Sequence, residues 1–360
     1  MVKNIWLDCD PGHDDAVALL LALNLSEINL LGVSSVNGNS GLENTTRNAA
    51  TLLAMFKARE DMPLERGAKE PIAGPEFNEG AAEAIHGSSG LDGVELLPPL
   101  SDPRVQHFYS KAPAGTDTAV QGMARAIRDS WKDGQGEKVW IVVTGPCTNA
   151  ARLIKMEEDL VKDAVAGWVV MGGSFDIPQW TPVAEFNIHT DPAALSEILR
   201  PAPFPPVILD PLNITHSAIF TSDIHQRLLD PKGKNGSDWR KRGESDVRWM
   251  LSTLLTFFAD TYLKVFDFKD GPPIHDALCV AWLGDPSLFK GRWCDLEVGS
   301  IDEGSAGRGQ TRLVKGTEWR NGSFEHGVLG NCFVLETLDT STFWNMFLEC
   351  VDKVEKKIQA

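Results

Sequence analysis

Positive charge is what this 360-residue sequence has little of: 34 Lys and Arg stand against 50 Asp and Glu, a formal net charge of -16. With a sequence pI near 4.9, the chain has no general attraction for phosphate backbones or anionic headgroups, so nucleic acid and membrane surfaces are not expected partners. No apolar run is long enough to span a bilayer. The six cysteines, at 9, 147, 279, 294, 332 and 350, show no CxxC spacing and sit mostly inside apolar runs, so buried free thiols are expected. Residues 1–4 pass directly into a strand pattern, without the charged, apolar and small-residue regions of a signal peptide. A soluble cytoplasmic protein is expected, with the nucleus as the alternative compartment. There is no internal repeat and no low-complexity linker, and an apolar fraction of 42% suffices for a large core, so residues 1–360 read as one domain.

What is present is a dense acidic motif, Asp8-Cys9-Asp10-Pro11-Gly12-His13-Asp14-Asp15, directly after the apolar run Ile5-Trp6-Leu7. Two unit charges about 4 Å apart repel by about 1 kcal/mol even in bulk water, and by more where water is scarce. Pro11 pushes Asp10 into extended geometry and ends the strand. Gly12 is expected to turn the chain with positive φ, and residues 13–24 carry apolar side chains at helical spacing. Asp14 and Asp15 then fall in the first helical turn, where the macrodipole favours negative charge. A helix cap uses one carboxylate and leaves the others unexplained. Asp10 and Asp15, from strand end and helix start, are candidates to grip a hard cation, calcium or magnesium.

Downstream, strands are expected at 29–36, 138–144, 167–171 and 206–210, and helices at 42–57, 117–132, 148–157 and 192–199. This alternation predicts an α/β fold with a doubly wound, mostly parallel sheet and helical and strand insertions. The runs VWIVV and WVVM fit strands covered on both faces. Residues 63–114 read as loops and short elements, with His86-Gly87-Ser88-Ser89-Gly90 as a candidate lid. Beyond Asp210 the sequence predicts an exposed loop at 230–244, a helix at 246–264, another starting near His275, strands at 292–299, 310–314 and 327–335, and a last helix at 340–357.

Ligands of open parallel sheets bind beyond the carboxyl ends of the strands. Those ends carry Asp8 and Asp10, Asn37 and Asn39, Thr144 and Gly145, Met171 to Gly173, and Asp210. Ala184-Glu185-Phe186-Asn187 in extended geometry puts a carboxylate and an amide on one side, suited to sugar hydroxyls, with Phe186 pointing away. His275-Asp276 joins a proton-handling group to a further metal carboxylate at a helix start. The alternative for Asp276 is a cap and for His275 a satisfied buried histidine. Phe258 and Tyr262, at i and i+4, read equally as pocket wall and as core.

DCDPGHDDAVALLLA, Val36-Asn37-Gly38-Asn39, IHGSSGLDG, VTGPCTNAA, VVMGGS, VAEFNIHTDPAA and IHDALCVAW occur in the order found in the inosine-uridine-preferring nucleoside hydrolases. The chain resembles that family over nearly its whole length, and its pyrimidine- and uridine-preferring members most. The resemblance implies hydrolysis of a ribonucleoside to ribose and free base with a tightly bound calcium ion (Ca2+), in a homodimer or homotetramer. It implies Asp10, Asp15, Asp276 and the Thr144 carbonyl as metal ligands, and Asp10 as base toward a calcium-bound water. Asp14, Glu185, Asn187 and Asp276 match ribose-binding positions, Asn39 a position that orients water and sugar, and Met171 one that lines the ribose site. His275 and His86 match base-side positions, His275 being the better candidate to assist the departing base. Gln179 stands where many members carry an asparagine against the ribose 5′ end, and Phe186 falls within the matched substrate segment. Purine or nicotinamide riboside cleavage is the alternative activity. A metal-dependent phosphohydrolase and a non-catalytic nucleoside-binding protein are more distant readings.

Overall fold

The computed structural model describes residues 2–72, 79–233, 240, 245–324 and 327–359. Ten strands are found among them: β1 (Lys3–Cys9), β2 (Ile28–Ser35), β3 (Leu64–Arg66), β4 (Val139–Val143), β5 (Val165–Met171), β6 (Val207–Asp210), β7 (Phe289–Cys294), β8 (Leu296–Val298), β9 (Thr311–Leu313) and β10 (Cys332–Leu338). Eight form one sheet in the order β3-β2-β1-β4-β5-β6-β10-β7. Every neighbouring pair is parallel until β7 closes the edge antiparallel to β10. β8 and β9 make a separate antiparallel pair. This is the expected doubly wound α/β fold.

Side chains of a strand alternate between faces, and here both faces are covered. From β1, Ile5, Leu7 and Cys9 enter one apolar cluster and Trp6 the other. From β4, Val142 goes to the first side and Val139, Ile141 and Val143 to the second. That division is why these strands read as unbroken apolar runs. The first cluster is roofed by helices His13–Asn24, Asp246–Phe266, Ala277–Gly284 and Thr340–Gln359, the second by Ala119–Trp131, Thr148–Met156 and Pro192–Ile198. The helix His13–Asn24 is buried at almost every position, as an apolar-all-round helix must be.

The short elements expected in 63–114 are β3, which extends the sheet beside β2 though no strand was expected there, and helices Glu79–His86 and Pro103–Tyr109. Three residues are too few for a periodicity to show. Other expectations need correcting. The helices Glu158–Ala164 and Ser222–Leu229 were not anticipated. The single strand expected at 292–299 is broken between Cys294 and Leu296, and β10 begins only at Cys332 and runs on to Leu338. Most of the expected loop 230–244 lies outside the described residues. All six cysteines are buried and free, and no helix of the described residues is long and apolar enough to cross a membrane.

Because β1, β2, β4, β5 and β6 are parallel, their carboxyl ends open onto one edge of the sheet. The functional residues gather there.

Candidate active site

β1 ends one residue before Asp10, and the Pro11-Gly12 turn delivers the chain into the helix His13–Asn24. Gly12 has φ of -104°, so a positive φ is not what this position requires. It needs room: a β-carbon there would lie 2.5 Å from His86 Nδ1 and 2.9 Å from Asn39 Nδ2.

Asp15 does cap its own helix, accepting from the Gly12 N–H at 2.9 Å. It does more than cap. Its carboxylate also accepts from Asn39 Nδ2 at 3.0 Å and from Thr144 Oγ1 at 2.8 Å, drawing the ends of β2 and β4 to the start of the helix. Asp10 Oδ2 accepts from the Asn39 N–H at 2.7 Å. Asp10 Oδ1, Asp14 Oδ1 and Asp276 Oδ2 are buried without a hydrogen-bond partner.

Asp14, Asp15 and Asp276 each offer an oxygen, and these oxygens lie within 4.8 Å of one another. Asp10 stands outside that trio but close enough for its charge to be felt. Burial, then the charge on Asp15, pushes Asp14 up to about 8. Asp10 is raised well above the carboxylate range by the same two causes. Asp276 is raised by burial and by Asp14, Asp15 and Asp10. Buried like charges with orphaned oxygens either keep protons or surround a cation. An all-oxygen donor set of this kind fits calcium or magnesium.

The AEFN segment is not extended as expected. Glu185 caps a short helix, Phe186–Thr190, its carboxylate accepting from Asn187 N at 2.7 Å, Ile188 N at 3.1 Å and Gly173 N at 3.0 Å. Burial still raises its pKa. Asn187 Nδ2 donates to the Thr144 carbonyl at 3.0 Å and the Met171 carbonyl at 3.3 Å, tying the ends of β4 and β5. Helical geometry turns Phe186 toward the site, not away from it: it lines the cavity and meets Trp180 edge-on at 5.4 Å. The Gln179 side-chain Oε1 accepts from Phe186 N at 2.9 Å.

His86 is not on an exposed lid. It ends the helix Glu79–His86, is 6% exposed, and its Nδ1 lies 3.3 Å from the His13 N–H and 3.2 Å from His13 Nδ1. His275 Nε2 is 2.7 Å from the Tyr262 hydroxyl, and its Nδ1 is 2.7 Å from Thr215 Oγ1. Burial draws both His86 and His275 well below the ordinary imidazole value, so both rings are neutral at pH 7.

These groups enclose one cavity of about 240 Å³. Every site residue anticipated from sequence lines it except Asp10 and Asp15, which reach it through their bonds to Asn39. Trp180, Val265, Phe266 and the Thr215 contact were missed, and Tyr262 resolves as pocket while Phe258 packs behind it at 4.7 Å. Tyr262 and Phe266, four residues apart on one helix, were the signal available. The rim expectation was too generous. Asp8 and Asp210 do not line the cavity: Asp8 is held by Ser34 Oγ at 2.5 Å and Asn149 Nδ2 at 2.8 Å, and Asp210 meets the Cys279 thiol at 3.8 Å. Asn37 lies apart from it.

The profile of the family described as inosine-uridine preferring nucleoside hydrolase matches residues 5–345. The chain belongs to this family. As a nucleoside hydrolase it acts on ribonucleosides. It is 35% identical over 301 residues to the pyrimidine-specific ribonucleoside hydrolase RihA of Salmonella paratyphi A, covering 83% of this chain and 85% of that protein. It is 31% identical over 350 residues to a probable ribonucleoside hydrolase of Dictyostelium discoideum, covering 97% and 94%. Among solved structures, it is similar to a purine-preferring ribonucleoside hydrolase from Gardnerella vaginalis, with a TM-score of 0.79 and 25% identity over 98% of this chain and 99% of that one.

Proposed function

We propose that this nucleoside hydrolase cleaves the N-glycosidic bond of pyrimidine ribonucleosides, uridine foremost, and that it does so with a resident calcium ion. The observation that carries the reading is what one cavity brings together: clustered carboxylates with unpartnered oxygens and the hydrogen-bonded Tyr262–His275 pair.

Asp10, Asp15, Asp276 and the Thr144 carbonyl would hold the ion, whose carbonyl ligand keeps a second lone pair beside its bond to Asn187. Bound calcium supplies positive charge that acidifies water. Asp10 is held at Oδ2 by Asn39, so its orientation is fixed and Oδ1 is left to take the proton from the attacking water. Asp14, Glu185, Asn187 and Asp276 bind the ribose hydroxyls, with Asn39 placing sugar and water and Met171 packing against the ring. The negative charge of the carboxylates stabilises the oxocarbenium character that develops as the bond to the base lengthens. The base departs toward Tyr262, His275 and His86; Tyr262, held in place by His275, hands it a proton and regains one from solvent as the products leave and Asp10 gives up the proton it took from water.

The pyrimidine preference is supported by the RihA likeness at 35% identity, higher than the 25% to the purine-preferring structure. The cavity volume, about 240 Å³, is below the roughly 300–1,000 Å³ common for drug-sized ligands, which suits a small base. The purine-preferring structural relative keeps purine cleavage as the second reading, with nicotinamide riboside beside it. A phosphohydrolase would want a cation on the phosphate, and no Lys or Arg among the described residues lines the cavity. We place the activity in one domain, residues 1–360, working as a homodimer or homotetramer in the cytoplasm.

The test is a reducing-sugar assay against uridine, cytidine, inosine, adenosine and nicotinamide riboside, before and after prolonged chelation. Ribose release led by uridine and lost with the metal supports the proposal. Release led by inosine overturns the base preference. Nucleoside binding without ribose release overturns catalysis.

A further inference from the structure

The segment His86–Asp92 is tied down by bonds from Ser40, Asn44, Asn48 and His13, and one of these side chains also holds the acidic motif. Asn48, buried on the helix Leu42–Met55, donates through Nδ2 to the Pro11 carbonyl at 3.0 Å and to the Ser89 carbonyl at 2.8 Å. Both partners are carbonyls and can only accept, so the amide orientation is unambiguous. Pro11 follows Asp10 in the acidic motif, and Ser89 lies three residues after His86. Gly90 completes the fit. It has φ of +83°, and a β-carbon there would come 2.8 Å from Asn48 Nδ2. Asn44 adds a bond to the Ser88 carbonyl at 3.0 Å, and His13 Nε2 meets the Asp92 carbonyl at 3.1 Å.

We propose that Asn48 is a positioning residue that fixes the spacing between the metal-side loop 10–12 and the base-side histidine His86. It touches neither metal nor substrate and does not line the cavity. It acts by clamping two segments that meet beside the cavity, one bonded through each amide hydrogen. This rests on the proposed hydrolase mechanism for its kinetic consequence, while the clamp itself is a property of the fold.

Two variants test it in the full-length, calcium-loaded enzyme. Asn48→Asp keeps size and shape but turns oxygens toward both carbonyls, and Asn48→Ala removes the bonds without that repulsion. Amide exchange followed by mass spectrometry should rise about tenfold in both 9–13 and 86–92, the effect of losing two buried hydrogen bonds, while the β4 and β5 amides stay protected. Hydrolysis of uridine should fall about tenfold further than that of p-nitrophenyl riboside, whose leaving group departs without a proton. Unchanged exchange in 86–92 for both variants overturns the clamp, as does a uniform rise across the sheet with equal losses on the two substrates. A wild-type enzyme releasing no ribose would overturn the mechanism instead, and the exchange result would still decide the clamp.

Discussion

The Tyr262 hydroxyl and His275 Nε2 are 2.7 Å apart, on elements separated by a turn of chain and joined at the cavity wall. A neutral imidazole carries one N–H. For Tyr262 to give its proton into the cavity, His275 must donate from Nε2, and its Nδ1 must then accept from the Thr215 hydroxyl at 2.7 Å. All three groups are buried, so bulk water does not compete for these bonds. Tyr262→Phe and His275→Ala should therefore each lower kcat on uridine by roughly 10²–10⁴, the usual worth of a general acid, and spare p-nitrophenyl riboside. Equal losses on both substrates would remove the pair from leaving-group chemistry.

Asp10→Asn should nearly abolish turnover while leaving the fold intact. The amide oxygen can still accept from the Asn39 N–H, so that bond survives. What disappears is a basic Oδ1. A kcat reduced by at least about 10² with retained ribose binding in calorimetry is the expected pattern. Turnover above a tenth of wild type would place the base elsewhere.

Metal removal should destabilise the protein. With Asp14, Asp15 and Asp276 oxygens within 4.8 Å of one another, the site without a cation holds either repelling charges or protons forced on at a cost. A ligand at about 1,000 times its Kd adds about 4.1 kcal/mol to the folded state. Melting temperature should thus climb with added calcium, and Asp276→Asn should flatten the climb. A melting temperature indifferent to calcium, in protein shown by elemental analysis to have lost its ions, would contradict the site.

How much of this was legible in the sequence follows the length over which a pattern repeats. Strands such as β1 and β4 announced themselves because both faces are buried, and the acidic motif because four carboxylates in eight residues have no structural use together. β3 is three residues long and was invisible. Phe186 was placed on the wrong side because Glu185 starts a helix by capping with its own side chain, a choice that tertiary donors from Gly173 help to fix. His86 was read as exposed because nothing local says that His13, Phe257 and Phe258 stack over it and its neighbour. Thr215 and His275, sixty residues apart, meet only through the fold.

Acid should destabilise the protein through its buried histidines. Burial lowers His216 and His225 to about 4 and His86 well below its ordinary value of 6.5. Between about pH 6.5 and pH 4 the unfolded chain binds protons at these histidines that the folded one refuses, so their contribution is full above pH 6.5 and falls as pH drops through that window. The buried carboxylates Asp8 and Asp14, raised to about 7 and about 8, act with the opposite sign, so the histidine share is read by difference: in urea unfolding at pH 7.5 and pH 5.0, His216→Asn should gain stability relative to wild type as pH falls. A difference that stays the same at both pH values would mean that other groups carry the loss.

Two glycines owe their place to Asp10 and not to backbone conformation. A β-carbon at Gly38 would collide with Asp10 Oδ2, and one at Gly145 would lie 2.6 Å from Asp10 Oδ1. Neither residue has a positive φ. The carboxylate is therefore gripped between the ends of β2 and β4, with Asn39 bonded to the oxygen that Gly38 abuts. Gly145→Ala should displace the Asp10 carboxylate, lowering kcat by more than about tenfold for an overpacking cost of about 1–3 kcal/mol. Gly115→Ala supplies the contrast: φ there is +77° and nothing lies within 4 Å of a β-carbon, so it should cost about 1–2 kcal/mol of stability and leave kcat alone. If the two variants lose stability and activity in the same proportion, the grip on Asp10 is not what Gly145 provides.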